Sequence, residues 1–306
     1  MSFRLFDGHC DTAYELWRRN EPLEENTCHL NLAGVQTFAA YVQVFAFCSY
    51  AGEEHPLAAQ EELLTKPLNV LRHEVWKNRH RIAFAHDAET IRQTLAAGKM
   101  AAMLSVEGPE VIACDPERLK ELHEQGFCMT TLTWNADNAL AGCHLSDGGL
   151  TDQGRTFVKT AQELGIRIDV SHLGENAFWD LVDITTKPIL ASHSNCRAIC
   201  DHSRNLTDEQ LRAIEQTGGT VGLNLYPPFL GEGADFELLR RHLEHMLTVC
   251  GEDHVALGGD LDGCDVLADG FRSAADYPKF YEYLLACGYD APLLEKVFFT
   301  NLLRLF

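Results

Sequence analysis

The sequence predicts an α/β fold of the (β/α)8 TIM-barrel type: a single domain over residues 1–306 with extra C-terminal helices. Three observations predict it. Eight short runs rich in β-forming residues alternate with longer amphipathic runs, which is the pattern of right-handed βαβ crossovers and a parallel sheet. Most of these runs are almost continuously apolar, as strands covered on both faces must be. The chain of 306 residues is close to the ~250 residues of a typical barrel, and no linker, low-complexity tract or repeat divides it.

The elements follow in order. The first strand is 3–9 (FRLFDGH) and the second 37–48 (TFAAYVQVFAFC), followed by helical patterns over 57–80 and 87–97. The third strand is 99–107 (KMAAMLSVE), and a helix over 115–125 ends at Gly126. The fourth strand, 127–134 (FCMTTLTW), leads to a helix over 152–164 that stops at Gly165. The fifth strand is 166–172 (IRIDVSH); after Gly174 a helix runs until shortly before Pro188. The sixth strand is 187–194 (KPILASHS), and Thr207 with Gln210 makes a capping box for a helix ending at Gly218 and Gly219. The seventh strand, 220–226 (TVGLNLY), precedes a helix over 235–250; the eighth, 254–260 (HVALGGD), precedes helices over 273–287 and 291–304.

Lys+Arg is 25 against 45 Asp+Glu, a formal charge of −20. That balance excludes a nucleic-acid binder, which needs a basic face for phosphates, and docking on an anionic membrane. No stretch reaches the ~18–20 apolar residues of a membrane span. The start, MSFRLFDGHCDTAYELW, lacks the basic, apolar and small-residue regions of a secretory signal, so a cytoplasmic location is expected. The eleven cysteines are scattered and form no CxxC pair, so they read as buried or free thiols.

In barrels of this type the C-terminal strand ends carry the chemistry. Here His9 and Asp11 close the first strand, Glu107 the third, His172 the fifth, His193 the sixth and Asp260 the eighth. His9 and Asp11 are two residues apart, so on an extended backbone their side chains share a face. Cys10 between them points the other way, as a packed thiol or a distal ligand. Any one of these histidines alone reads as a hydrogen-bonded core or rim residue, and the joint placement of five donors on one mouth argues otherwise. Imidazole and carboxylate donors suit Zn²⁺, Mn²⁺, Fe²⁺ or Co²⁺. Five ligands are too many for one tetrahedral ion with an open position, but they fit two ions if Glu107 bridges. Such a pair holds a bridging hydroxide and polarises a carbonyl, which is hydrolytic chemistry. Asn224 and Tyr226, at the end of the seventh strand, line the pocket or pack beside it.

The motifs FDGHCDT, SVEGPE, TTLTWNADNALAGC, DVSH, PILASHSNCRAICDHSRNLTDEQL and ALGGDLDG together resemble the membrane (renal) dipeptidase family, metallopeptidase family M19 of the amidohydrolase superfamily. The resemblance implies a barrel with two zinc ions per chain that hydrolyses dipeptides, including ones with a C-terminal D-residue, and a possible homodimer. It implies one zinc on His9 and Asp11, the other on His172 and His193, and Glu107 between them. It makes Asp260 the proton shuttle, with Asp262 its nearest competitor, and Arg204 the partner of the substrate's terminal carboxylate. Trp134 stands where the mammalian members carry a substrate-contacting histidine, so it reads as an aromatic wall or a donor of one hydrogen bond. Those members also have a signal peptide and a lipid-anchor tail, which this chain is expected to lack. Asp137, Glu110 and Asp147 are candidates for the dipeptide's ammonium or solvated loop charges. Two alternatives remain: a superfamily hydrolase of lactones, cyclic amides or phosphoesters, and a non-catalytic metal-binding barrel. The fourth strand has no lysine to be carbamylated between metals, which favours the dipeptidase branch.

Overall fold

The computed structural model describes residues 3–50 and 59–306. Nine strands appear among them: β1 (Arg4–Cys10), β2 (Ala40–Cys48), β3 (Ile82–Phe84), β4 (Met100–Glu107), β5 (Phe127–Thr131), β6 (Arg167–Asp169), β7 (Leu190–Ala191), β8 (Thr220–Leu223) and β9 (Val255–Leu257). All pair in parallel, and eight close a ring that runs β1, β2, β4, β5, β6, β7, β8, β9 and back to β1. The ring is the expected (β/α)8 barrel. The ninth strand, β3, was not anticipated. It pairs with Met100–Ala102 at the start of β4, on the edge that β5 takes from Leu104 onward. Three residues between two helices, of which only Ile82 is buried, carry too little periodicity to announce a strand.

The expected helices appear at Gln60–Lys77, Ala88–Ala96, Pro116–Glu124, Asp152–Leu164, Glu175–Ile184, Asp208–Gln216, Phe236–Cys250 and Tyr277–Ala286, with a last helical segment from Ala291 to Leu303. Residues 57 and 58 of the first expected helix lie outside the described residues. The capping box is present: Thr207 Oγ1 accepts from the Gln210 N–H at 3.2 Å, and Gln210 Oε1 accepts from the Thr207 N–H at 2.9 Å. Short helices at Thr12–Arg19, Leu32–Val35 and Pro227–Leu230 were not anticipated. No helix among the described residues is long and apolar enough to cross a membrane.

Several strands are shorter than expected, and the reason bears on the site. At the C-terminal mouth, side chains replace the backbone ladder. Asp169 Oδ1 accepts the N–H groups of Ser171 and Ser192, both at 2.9 Å. Asp7 Oδ1 accepts those of His9 at 3.0 Å and Gly259 at 3.1 Å. The Asn195 amide takes the Asn224 N–H at 3.0 Å and donates to the Asn224 carbonyl at 3.1 Å. The strands thus stay laced together while their last residues turn away from sheet geometry, which frees His9, His172 and His193 to point inward.

The interior is filled in layers. Val42 and Val44 on β2 share a face with Cys48, and Ala101 and Met103 on β4 share a face with Glu107, so these apolar residues lie inside the barrel below the mouth. Phe299 and Leu302 of the last helical segment, and Leu305 just beyond it, join the same cluster. Arg4 and Arg167, at the starts of β1 and β6, bond to Glu295 and to the Leu305 carbonyl, so that segment closes the lower end. Just below the mouth two glycines let backbones approach. A Cβ at Gly222 would lie 2.0 Å from the Ser192 carbonyl oxygen and one at Gly258 1.7 Å from it. This contact draws β7, β8 and β9 together directly beneath His193 and Asp260.

Candidate active site

The five residues expected from distant stretches of chain meet at the mouth. His9 Nε2 lies 3.3 Å from Asp11 Oδ2 and 3.4 Å from Glu107 Oε2. The other oxygen of Glu107, Oε1, lies 2.9 Å from His172 Nε2 and 3.4 Å from His193 Nε2. The two groups, His9–Asp11–Glu107 and Glu107–His172–His193, each have donor atoms within 4.8 Å of one another, and Glu107 is common to both. All five side chains are buried. His9 owes its place to Asp7, which holds the His9 N–H. His172 sits in the left-handed backbone region at φ 70°, within the tight turn that follows β6.

The electrostatics fit divalent cations. Burial lowers the pKa of His172, with Arg204 close by, to about 4, and burial with His9 nearby puts His193 well below its ordinary value. Both rings are therefore neutral and can offer lone pairs. Burial works against the charge on Glu107, yet His9 first, and the rings of His172 and His193 beside it, hold its carboxyl well below the usual range. Burial and the Glu107 charge push Asp11 up to about 7. Burial also opposes a charge on His9, but Glu107 and Asp11 on either side raise its pKa well above the ordinary value. A proton between two carboxylates stands where a cation would be favoured more. The stronger observation is a shortage of partners: His9 Nδ1 and Nε2 and Asp11 Oδ1 are buried and make no hydrogen bond among the described residues. Buried polar atoms are seldom left so, and an unplaced ion is one of the few explanations.

Above the five lies a cavity of about 540 Å³. Asp260 opens into it beside His9 and His193. It too has left-handed backbone, φ 56°, and Oδ2 accepts from Asn224 Nδ2 at 3.1 Å. Burial raises its carboxyl pKa, with His9 pulling the other way. Asp262 faces elsewhere, accepting from Thr12 Oγ1 at 2.5 Å and from the His29 N–H at 2.6 Å. Arg204 lines the cavity with its guanidinium carbon 5.3 Å from the centre of the Phe229 ring. Its Nε and Nη2 are buried and unpartnered among the described residues. Trp134 and Tyr226 form parts of the wall, Trp134 against Tyr50 at a ring-centre distance of 5.3 Å. Asn224 is fully buried and is not part of the lining; it stands behind Asp260 and also donates to the His193 carbonyl at 3.3 Å. None of Glu110, Asp137 and Asp147 is among the lining residues. Asp137 is taken up by the Cys143 N–H and the Ser146 hydroxyl, and Glu110 by Asn138. Cys10 is a packed core thiol.

Residues that sequence reasoning missed surround these. Ser192 Oγ lies 2.7 Å from His193 Nδ1 and donates to Asp169, so it accepts the ring N–H and leaves His193 Nε2 facing Glu107. Asn135 Oδ1 is 2.8 Å from His172 Nδ1 and 3.0 Å from His144 Nε2. The clue for Ser192 and Asp169 was their adjacency to His193 and, in DVSH, to His172. For Asn135 it was the position directly after Trp134.

With this geometry established, comparison with known proteins is informative. The family model described as membrane dipeptidase (peptidase family M19) matches residues 1–306. A Klebsiella pneumoniae protein, described as an uncharacterized protein in the pqqA 5' region, is 35% identical over 243 residues, 72% of this chain and 89% of its own. The solved metallo peptidase of Rhodobacter sphaeroides, liganded with a phosphinate mimic of the dipeptide L-Ala-D-Ala, superimposes with a TM-score of 0.89 at 29% identity, covering 100% of this chain and 99% of that one. The probable dipeptidase PvdM of Pseudomonas aeruginosa gives a TM-score of 0.91 at 18% identity over 99% of this chain and 94% of its own, a likeness of fold.

Proposed function

The chain belongs to the membrane dipeptidase family, peptidase family M19, and from that premise we propose that it is a dipeptidase working with two zinc ions per chain. The observation that carries the reading is the pair of donor groups sharing Glu107, with the buried nitrogens of His9 left without hydrogen-bond partners among the described residues. His9, Asp11 and Glu107 Oε2 would hold one ion; His172, His193 and Glu107 Oε1 the other. When bound, the ions supply the acidity that makes water a nucleophile at neutral pH and that polarises a carbonyl. The chain's own residues do the rest. Asp260 takes a proton from the attacking water and delivers it to the amide nitrogen as the C–N bond breaks, acting as general base and then general acid. The free N–H groups of Arg204 pair with the terminal carboxylate of the dipeptide in the planar fork that guanidinium and carboxylate share. That anchor restricts hydrolysis to bonds one residue from a free C-terminus. Trp134 and Tyr226 give the substrate aromatic walls. The ligand of the Rhodobacter protein supports including dipeptides with a C-terminal D-residue.

The test is hydrolysis of a stereochemically complete dipeptide library, with metal content measured on the same sample. Turnover of dipeptides at about two zinc equivalents per chain is expected. Metal-loaded protein that leaves every dipeptide intact, yet opens lactones or phosphotriesters, would move the chain to another branch of the superfamily.

A further inference from the structure

The cavity wall carries a series of hydrogen bonds that the reaction above does not use. His172 Nδ1 meets Asn135 Oδ1 at 2.8 Å, the same oxygen meets His144 Nε2 at 3.0 Å, and His144 Nδ1 meets Ser203 Oγ at 2.8 Å. Ser203 is the residue before Arg204, and Asn135, His144, His172 and Arg204 all line the cavity. The series therefore runs from a residue beside Glu107 to the loop with the free guanidinium.

Its donors and acceptors follow from one premise, the proposed function, on which this inference rests. An imidazole that offers Nε2 to a metal carries its proton on Nδ1. The Nδ1–H of His172 then donates, so the group opposite it is the oxygen of the Asn135 amide. That oxygen accepts, so His144 Nε2 also bears a hydrogen. His144 Nδ1 is left with a lone pair, and the Ser203 hydroxyl donates to it. Turning the amide over would reverse every role and put the His172 proton on Nε2, 2.9 Å from Glu107 and aimed at the metal position.

We propose that Asn135 and His144 are positioning residues, which lock the tautomer of His172 and tie that ligand to the loop carrying Arg204. Metal affinity and substrate affinity are then linked through two side chains that touch neither the ion nor the scissile bond.

The experiment compares Asn135→Leu, Asn135→Asp, His144→Leu and His144→Gln with the wild type. Zinc binding to the apoprotein is measured by calorimetry, and kcat and KM by dipeptide hydrolysis. Asn135→Leu is expected to weaken zinc at one of two sites by about ten- to a hundredfold, and Asn135→Asp, which keeps an acceptor oxygen, to restore it. His144→Leu is expected to weaken zinc less and to raise KM. His144→Gln, which keeps an N–H of similar reach, is expected to relieve both defects. Full zinc affinity at both sites in folded Asn135→Leu overturns the proposal. So does a His144→Leu defect that His144→Gln leaves in place, and this pair decides the matter if Asn135→Leu does not fold. A wild type that takes up no zinc overturns the dinuclear reading itself and the relay with it. A wild type that binds two ions beside indifferent variants overturns the relay alone.

Discussion

Asp260 and Arg204 are the residues on which the proposed chemistry is most exposed to test. Asn224 holds one oxygen of Asp260, so an amide at that position would still be held while losing its capacity to carry the proton. Asp260→Asn is expected to retain its metal and to lose turnover by about 10²–10⁴-fold; near-normal turnover at full metal content would refute the shuttle. Arg204 is buried with two unpartnered nitrogens over Phe229, and methionine there keeps the length and the apolar contact without the charge. Arg204→Met is expected to raise KM for dipeptides by about tenfold or more, leaving substrates without a terminal carboxylate unaffected. A KM that does not move for either class would count against the anchor. At this scale the sequence was most legible where a residue type is chemically unusual for its place. Three histidines and two acids at strand ends are conspicuous; the serine and asparagine behind them are not. Ser192 links His193, its neighbour in the chain, to Asp169 in another strand, and Asn135 meets His172 and His144 from separate loops; no spacing announces such contacts. The separation of Asp260 from Asp262 likewise depends on where a left-handed turn aims each side chain.

At the scale of elements, apolar runs predicted which segments become strands but not where each ends. β6 and β7 are three and two residues long in the structure. Asp169 and Asn195 take over hydrogen bonds that backbone would otherwise make, and period-2 patterning does not register that exchange. β3 escaped for a related reason, being too short to display a period. The close approach of β8 and β9 to the Ser192 carbonyl is specified by glycines whose importance the sequence leaves unmarked. It makes a sharp prediction. In Gly258→Ala the new methyl would fall 1.7 Å from a backbone oxygen and 3.4 Å from the His193 Cα, so the strands must part. A loss of about 1–3 kcal/mol or more in denaturant unfolding is expected, together with weaker zinc binding. Unchanged stability would show that the barrel relaxes around the methyl without cost.

For the molecule as a whole, eight alternating units over one uninterrupted chain sufficed to read the barrel, because closure follows from strand count and right-handed crossovers. The relation between stability and the site was not legible, since it depends on burial. Five ionisable side chains packed together without enough partners are a burden on the metal-free fold. An ion that binds only the folded state at a hundred times its Kd adds about 2.7 kcal/mol. Chelation is therefore expected to lower the melting temperature by roughly 5 °C, and stoichiometric zinc to restore it. A melting curve indifferent to chelator would argue that the cluster holds no ion.

The barrel's lower end, stopped by Phe299, Leu302 and Leu305, has a kinetic consequence. With that floor sealed, both amino acids released by cleavage must depart through the opening by which the dipeptide arrived. On the proposed role of Arg204, the fragment it holds would bar the next arrival until it let go. Free amino acids accumulating in solution are then expected to compete for the same berth, and progress curves to bend downward as the reaction proceeds.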